Sequence, residues 1–482
     1  MTAPLSHHSS AATHLLTSLT PPATTPRSAQ GSLKELLAVQ SVDDLRDLSN
    51  KTVLLRVDAN VSPTNEMFPY HPRIKQVVST LERLSVAGAR TIVMSHRSLG
   101  DESSTEKISN RGIVERLQTN FPSLRYSLQF HEATEPEKAR TAKGERAYFR
   151  RLYKLVKGLA PGSAVFLENT RLFPSERNEV AKGRLKQLTS LVDYIVYDGF
   201  GVGHRGGHLS VDGLTRDFPF KRKCLGPAAL AEWTQVLSFA STTSPHSVAL
   251  ILGGDVDKFE SKLNLVIEML TSERVGLVYL GGAFGTSWLH IHGSDLARTP
   301  VSGNARALEK LRALPDRFPQ IRFELPTEYV GLTPTKELCR WPVGSQQRGV
   351  PHLALSAGSI ALDQPESNLA PLFASIGISH VVAVGPLGYY MKKPFDTGTV
   401  ETYRALAKWA QAEDGRKLLV GGGNSLEALL EVPDFRSPTA PSVMVSSGGG
   451  ALLNALAEAF KVGGDPSLIQ TASLRALRRP SH

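Results

Sequence analysis

The chain has 482 residues, 41% hydrophobic and 21% charged, with a formal net charge of +10. That length exceeds one compact core and favours two domains, and no apolar run approaches the roughly 20 residues that span a bilayer. Two cysteines, Cys224 and Cys339, exclude a disulfide scaffold and fit a reducing, cytoplasmic setting.

Residues 1–31 are rich in Ser, Thr, Ala and Pro, with no acid and a single arginine, Arg27. Such a segment buries too little apolar surface to order itself and reads as a disordered extension. An organelle-targeting segment is the alternative, because those also lack acids. No secretory signal is expected.

From Ser32 onward short apolar strands alternate with amphipathic helices. Strands are expected at 52–57, 91–95, 164–168 and 194–197, and helices at 73–87 and 178–191. Residues 100–157 are polar and charged and read as a surface excursion, its part 135–157 strongly basic and helical. A long helix at 225–240 and a polar link close the first lobe, 32–224, with 225–246 as the connection. The alternation restarts in a second lobe, 247–460. Strands are expected there at 248–252, 276–280, 381–384 and 417–420, and helices at 258–270, 399–412 and 425–430. Residues 461–482 show no core pattern and read as a basic tail. Strands alternating with helices imply α/β lobes with parallel sheets covered on both faces.

Four glycine clusters follow apolar strands in the second lobe: Gly253-Gly254, Gly281-Gly282, Gly421-Gly422-Gly423 and Gly448-Gly449-Gly450. Glycine there allows close backbone approach and leaves amide N–H groups free at helix N-termini. Ligands of open α/β sheets sit outside the carboxyl ends of the strands, so the clusters suggest a phosphate- or nucleotide-binding rim. None fits the P-loop or dinucleotide fingerprints, which argues against a standard ATPase or dehydrogenase.

In the first lobe, polar residues end or follow the strands: Asp58, Asn60, His96, Arg171, Asp198, His204 and Arg205, while Arg73 begins a helix. If the strands are parallel, these groups converge on one edge. Several arginines with a histidine suit phosphate and carboxylate, because guanidinium forks match those anions. A basic cleft for a phosphorylated metabolite thus offers one account of the +10 charge. Nucleic acid is the other account, but no zinc-finger spacing or aromatic-rich RNA-binding strand supports it. The dense terminal cluster is only Arg475, Arg478 and Arg479.

The segments LLRVDANV, MSHR, LENTR and DGFGVGHR, then LGGDVDKFESKLNLVIEML, LGGAFGTSWL, VGPLG, VGGGNS and SSGGGA, resemble in order the signature segments of phosphoglycerate kinases. The resemblance implies two Rossmann-like lobes with parallel sheets, joined by a helix and a hinge that closes. It implies transfer of a phosphoryl group between 1,3-bisphosphoglycerate and ADP, with Mg²⁺, giving 3-phosphoglycerate and ATP, by a monomer. On the matching motifs, Asp58, Asn60, Arg73, His96, Arg171 and Arg205 fall on substrate-binding positions. Arg73, Lys258, Gly422 and Gly423 fall where the transferring group is stabilised. Lys258, Lys262, Gly253, Gly254, Gly281, Gly282, Pro386, Gly421, Gly422, Gly423, Asn424 and Ser425 fall on the nucleotide side. Such chemistry asks the protein mainly for positioning and fixed positive charge.

The sequence also departs from that pattern. Leu99 stands where an arginine is expected, with Arg97 two positions early, and HRGGHLS carries one extra residue beside Arg205. Asn424 replaces the metal-serving aspartate, and a neutral amide is the weaker Mg²⁺ ligand. Met391 replaces a ribose-binding glutamate and Val384 an asparagine. The loop before Lys258 is two residues longer and adds Asp255 and Asp257, either of which is a candidate replacement metal ligand. The C-terminal segment that docks back on the first lobe in the family is not recognisable. Two readings follow: a divergent kinase, or a catalytically weak family member kept for anion binding or scaffolding.

Overall fold

The computed structural model describes residues 37–45, 47–97, 109–133, 140–177, 185–254, 259–345, 351–353, 355, 360–364, 369–390, 392–431, 441–462 and 465–478. These fall into two compact units. One runs to Thr234 and takes in the chain from Asp465 onward; the other runs from Gln235 to Gly464. The division falls inside the helix Pro227–Ser241.

The first unit is built on a six-stranded sheet of β1 (Thr52–Val57), β2 (Arg90–Met94), β3 (Leu128–His131), β4 (Ala164–Leu167), β5 (Tyr194–Asp198) and β6 (Lys223–Leu225). Their order is β3-β4-β2-β1-β5-β6, and every pairing is parallel. The period of two along each strand sends neighbours to opposite faces. Val53, Leu55 and Val57 enter one core with Val93, Phe166 and Val196, whereas Leu54 enters another with Ile92, Val165 and Ile195. The helix Pro72–Val86 covers the first face through Ile74, Val77, Val78, Leu81 and Leu84, an i, i+3, i+4 stripe. The helix Ala142–Lys157 covers the second through Tyr148, Phe149, Leu152 and Val156.

Two sequence expectations change here. Within the expected surface excursion of 100–157, the structure places an edge strand, β3, and two sheet-covering helices, Arg111–Asn120 and Ala142–Lys157. Of the helix expected at 178–191, the described part is a 3-10 turn, Leu185–Ser190.

The second unit carries another six-stranded parallel sheet: β7 (Val248–Leu252), β8 (Val275–Leu280), β9 (Arg322–Glu324), β15 (His380–Val384), β16 (Lys417–Gly421) and β17 (Val443–Ser446), in the order β17-β16-β15-β7-β8-β9. Between β9 and β15 lie a three-stranded antiparallel sheet of β10 (Glu328–Leu332), β11 (Leu338–Pro342) and β14 (Ile360–Asp363), and a small pair, β12 (Gly344–Ser345) with β13 (Pro351–His352). Sequence periodicity gave no sign of this insertion. Its own core gathers Tyr329, Trp341, Leu353 and Ala361.

Residues 461–482, which show no core pattern in the sequence, are not simply a tail. The helix Ala472–Leu477 buries Leu474 and Leu477 completely, and it belongs to the first unit. The docking that the sequence gave no reason to expect is therefore present. No helix among the described residues is long and apolar enough to cross a membrane.

Candidate functional site

The first unit gathers its polar residues at the carboxyl ends of its strands. Asp58 directly follows β1 and is 6% exposed; its Oδ1 accepts from the Asn60 amide at 3.2 Å. Arg73 sits in the first turn of the helix Pro72–Val86, where Pro72 presets the backbone and the His71 side chain accepts from the Arg73 amide. From there its guanidinium reaches Asp58 Oδ2 at 3.5 Å and donates to the Asn60 carbonyl at 2.9 Å. His96 follows β2, with Nδ1 4.0 Å from Asp58 Oδ1.

Arg171 lies in the turn after β4, where Asn169 caps it by accepting from the Arg171 amide at 3.1 Å. Arg205 follows β5. Burial holds the His96 imidazole well below its usual pKa, and Arg56, Arg205, Arg171 and Arg73 push it the same way. Arg205 is itself lowered, first by burial and then by Arg171, with Arg56 and Arg73 adding to this and Asp58 opposing it. These mutual effects place the four guanidinium groups around one histidine and one carboxylate. His96 is therefore neutral at physiological pH, and its contact with Asp58 is polar and not ionic.

Like charges gathered around one buried guanidinium, Arg56, favour an anion that neutralises them. A ligand carrying phosphate and carboxylate would do so. The sequence-expected set Asp58, Asn60, Arg73, His96, Arg171 and Arg205 thus occupies one strand-end edge. Sequence reasoning missed Arg56. It is 3% exposed on β1, approaches His96 Nδ1 at 3.5 Å and donates from Nε to Ser210 Oγ at 3.2 Å. The signal was available, since Arg56 is the lone charge inside an apolar strand.

Arg97 does not stand in at the expected arginine position. It is 5% exposed and donates to the Ser109 carbonyl at 2.7 Å. Leu99 lies outside the described residues.

The turn carrying Arg205 is held from two sides. The extra residue of HRGGHLS coincides with a π-helical turn, Leu209–Gly213, in which the Gly213 amide bonds the His208 carbonyl five residues back at 3.3 Å. Buried Glu176 accepts from the Ser210 amide at 3.0 Å and from Ser210 Oγ at 2.6 Å. From the other side, the Ser473 amide donates to the Gly203 carbonyl at 3.0 Å, and any side chain at Gly203 would lie 2.6 Å from Ser473 Oγ.

The glycine turns of the second unit work differently from expectation. The amides of Gly253, Gly254, Gly281 and Gly282 are not free. They donate to the carbonyls of Val384, Pro386, Leu252 and Leu387 at 3.0, 2.7, 2.8 and 3.0 Å. Glycine is required there by crowding: a Cβ at Gly253 would lie 2.2 Å from the Pro386 carbonyl oxygen, and one at Gly385 2.4 Å from that of Gly253. The turns after β7, β8 and β15 thus lock together. Lys262 donates to the Gly253 carbonyl at 2.7 Å.

Of the donors expected after β16, Gly421 ends the strand and the Gly422 amide donates to the Ser446 carbonyl at 3.4 Å, so only the first turn of the following helix offers amides. The helix Gly423–Glu431 starts behind Gly421 and Gly422, and its first-turn amides have no carbonyl of their own helix to bond. Buried Ser425 in that turn accepts from the Gly385 amide at 2.9 Å, and the Tyr403 hydroxyl donates to the Gly385 carbonyl at 2.8 Å. Asn424 is half-buried in the same turn. Asp255, Asp257, Lys258 and Met391 lie outside the described residues. The described residues of these turns include no carboxylate, and the whole described set holds no cluster of three or more His, Cys, Asp or Glu that suits a metal. They do not by themselves fit Mg²⁺.

The phosphoglycerate kinase family model matches residues 42–459. A phosphoglycerate kinase of Rhodospirillum centenum is 28% identical over 424 residues, covering 86% of this chain and 96% of that protein. One of Clavibacter sepedonicus is 29% identical over 433 residues, covering 87% and 96%. The crystal structure of phosphoglycerate kinase from Pyrococcus horikoshii superposes with a TM-score of 0.67 at 22% identity, covering 91% of this chain and 98% of that one. That likeness speaks for the fold. Ordered motifs, two parallel-sheet units and a match across most of the length agree: the chain belongs to the phosphoglycerate kinase family.

Proposed function

We propose that the chain is a phosphotransferase that moves the acyl phosphate of 1,3-bisphosphoglycerate to ADP, reversibly, giving 3-phosphoglycerate and ATP. The observation that carries this reading is the gathering of Arg56, Arg73, Arg171 and Arg205 around His96 and Asp58. Guanidinium forks bind the phosphate and carboxylate of the glycerate, and Asp58 accepts from its hydroxyl. Neutral His96 adds a ring N–H without adding charge. On the nucleotide side, the first-turn amides of the helix Gly423–Glu431 and the ammonium of Lys262 face phosphate oxygens. Lys258 joins them, and Asn424, where the family resemblance puts a metal-serving aspartate, is the weaker Mg²⁺ ligand.

A coupled assay run in both directions tests the reaction, with calorimetry of 3-phosphoglycerate binding beside it. Turnover in either direction supports the proposal. Binding without turnover favours the second reading, an anion-binding or scaffolding family member, for which Asn424 is the specific motive. No binding at millimolar ligand would remove both.

A further inference from the structure

Three of the large hydrophobic side chains most exposed on this protein share one end of the first unit: Val86 at 91%, Tyr126 at 88% and Tyr153 at 43%. Val86 ends the helix before β2, Tyr126 precedes β3, and Tyr153 lies in the last turns of the helix before β4. In a parallel sheet all strand N-termini share one edge, so these residues sit opposite the edge that carries Asp58, His96, Arg171 and Arg205.

Hydrogen bonds draw the three connections around the loop 158–163. Ser85, next to Val86, donates to the Gly162 carbonyl at 2.6 Å. The Ser127 carbonyl, next to Tyr126, accepts from the Ala164 amide at 2.8 Å. Arg90 Nε donates to the Leu159 carbonyl at 2.7 Å. Gly158, Ala160 and Pro161 in that loop are exposed.

The charge around these side chains is of one dominant sign. Arg125, Arg150, Lys154 and Lys157 are exposed, and among the described residues none of them pairs with a carboxylate; Arg151 reaches the other way, to the Glu132 carbonyl beyond β3. Lys157 Nζ stands 4.4 Å over the Tyr153 ring. The one acid on the helix Ala142–Lys157, Glu145, is buried and accepts from Ser175. Nearby, Glu82 accepts from Ser123, and Asp43 pairs with Arg83.

We propose that this edge docks on an anionic lipid bilayer. Phenol rings and an aliphatic tip interleaved with lysine and arginine are the composition that suits the headgroup layer, where rings lie at the interface and cations meet phosphate. The apolar face of the helix Ala142–Lys157 is committed to the core, so the contact is made by side-chain tips and is reversible and salt-sensitive. The sequence reading expected no membrane partner, on the ground that no segment spans a bilayer, but surface docking needs no spanning helix. The glycerate edge faces away from the bilayer and stays open. This inference is independent of whether the chain turns over its proposed substrates.

The test is sedimentation of the full chain with large phosphatidylcholine vesicles, and with vesicles in which about one third of that lipid is replaced by phosphatidylserine. Expected is several-fold more protein pelleting with the anionic vesicles, lost when salt is raised to about 0.5 M. Lys154→Glu with Lys157→Glu lowers the apparent affinity about tenfold or more, and Val86→Ser with Tyr126→Ser lowers it by a smaller factor. Arg312→Glu with Lys408→Glu, the same charge change made on the second unit, leaves it nearly unchanged. Circular dichroism confirms that each variant is folded. Absence of phosphatidylserine-dependent pelleting would overturn the proposal, including where the edge instead binds an acidic protein. Equal losses in the two charge-reversal variants would overturn it as well, since net charge alone would then explain binding.

Discussion

The first unit makes its anion site from side chains; the second makes its rim from main chain. Around His96, four arginines come from a strand interior, a helix start and the turns after two further strands. Around Gly253, Gly282 and Gly385 there are almost no side chains to lose, and the geometry is carbonyl-to-amide contact at van der Waals limits. A side-chain site therefore fails locally, by losing affinity. A backbone site fails globally, by losing its turns.

The sharpest way to break that contrast is Gly385→Ala. Its φ of +91° and the Gly253 carbonyl oxygen 2.4 Å from the new Cβ leave no room, so a loss of about 3–5 kcal/mol in the second unit is expected. Denaturant unfolding followed on each unit checks it, and a wild-type midpoint would mean that the turns are less tightly locked than described. Arg205→Ala comes next. It removes charged hydrogen bonds to the ligand, so 3-phosphoglycerate affinity should fall roughly 30- to 150-fold, about 2–3 kcal/mol, with the unfolding midpoint nearly unchanged. Calorimetry that shows a stability loss instead of an affinity loss would reverse the assignment.

The pH response gives a third handle, of up to about 4 kcal/mol over the whole titration. Burial pushes the Asp363 carboxyl up to about 7, and Asp396 adds to this against hydrogen bonds from the Gly398 and Gln364 amides. The folded chain then holds that proton more tightly than the unfolded chain, so stability from this group is present at low pH and is lost as pH rises from about 4 to about 7. Asp363→Asn should flatten that part of the stability profile; an unchanged slope would assign it elsewhere. The smallest expected effect is Asn424→Asp, which restores a hard anionic oxygen at the start of the helix Gly423–Glu431 and should tighten Mg·ADP binding about three- to tenfold. No change would point to another carboxylate as the metal ligand.

The four central strands of each parallel sheet were legible in the sequence, because a buried strand announces itself by a local run of apolar residues; the edge strands β3, β6, β9 and β17 were not. β1 and β7 coincide with expectation to the residue, β2 is shifted by one residue, and the other expected strands differ by one residue at an end. The six polar positions of the first unit were legible for a related reason: each lies in the connection after a strand or begins a helix. Arg56 was passed over because its neighbours are apolar and only the tertiary structure shows its guanidinium reaching His96 and Ser210.

What the sequence determined by itself is the alternation of elements, the order of the motifs and hence the family and its two parallel sheets. These rest on periods of two and 3.6 residues and on short contiguous segments. The tertiary structure alone decided which partners meet across long separations. It turned the glycine amides inward, sent Arg97 to Ser109, folded the insertion between β9 and β15, and seated the helix Ala472–Leu477 beneath the turn that carries Arg205. The physical reason is the same in each case. Those outcomes depend on contacts between residues distant in the chain, and no local period encodes them.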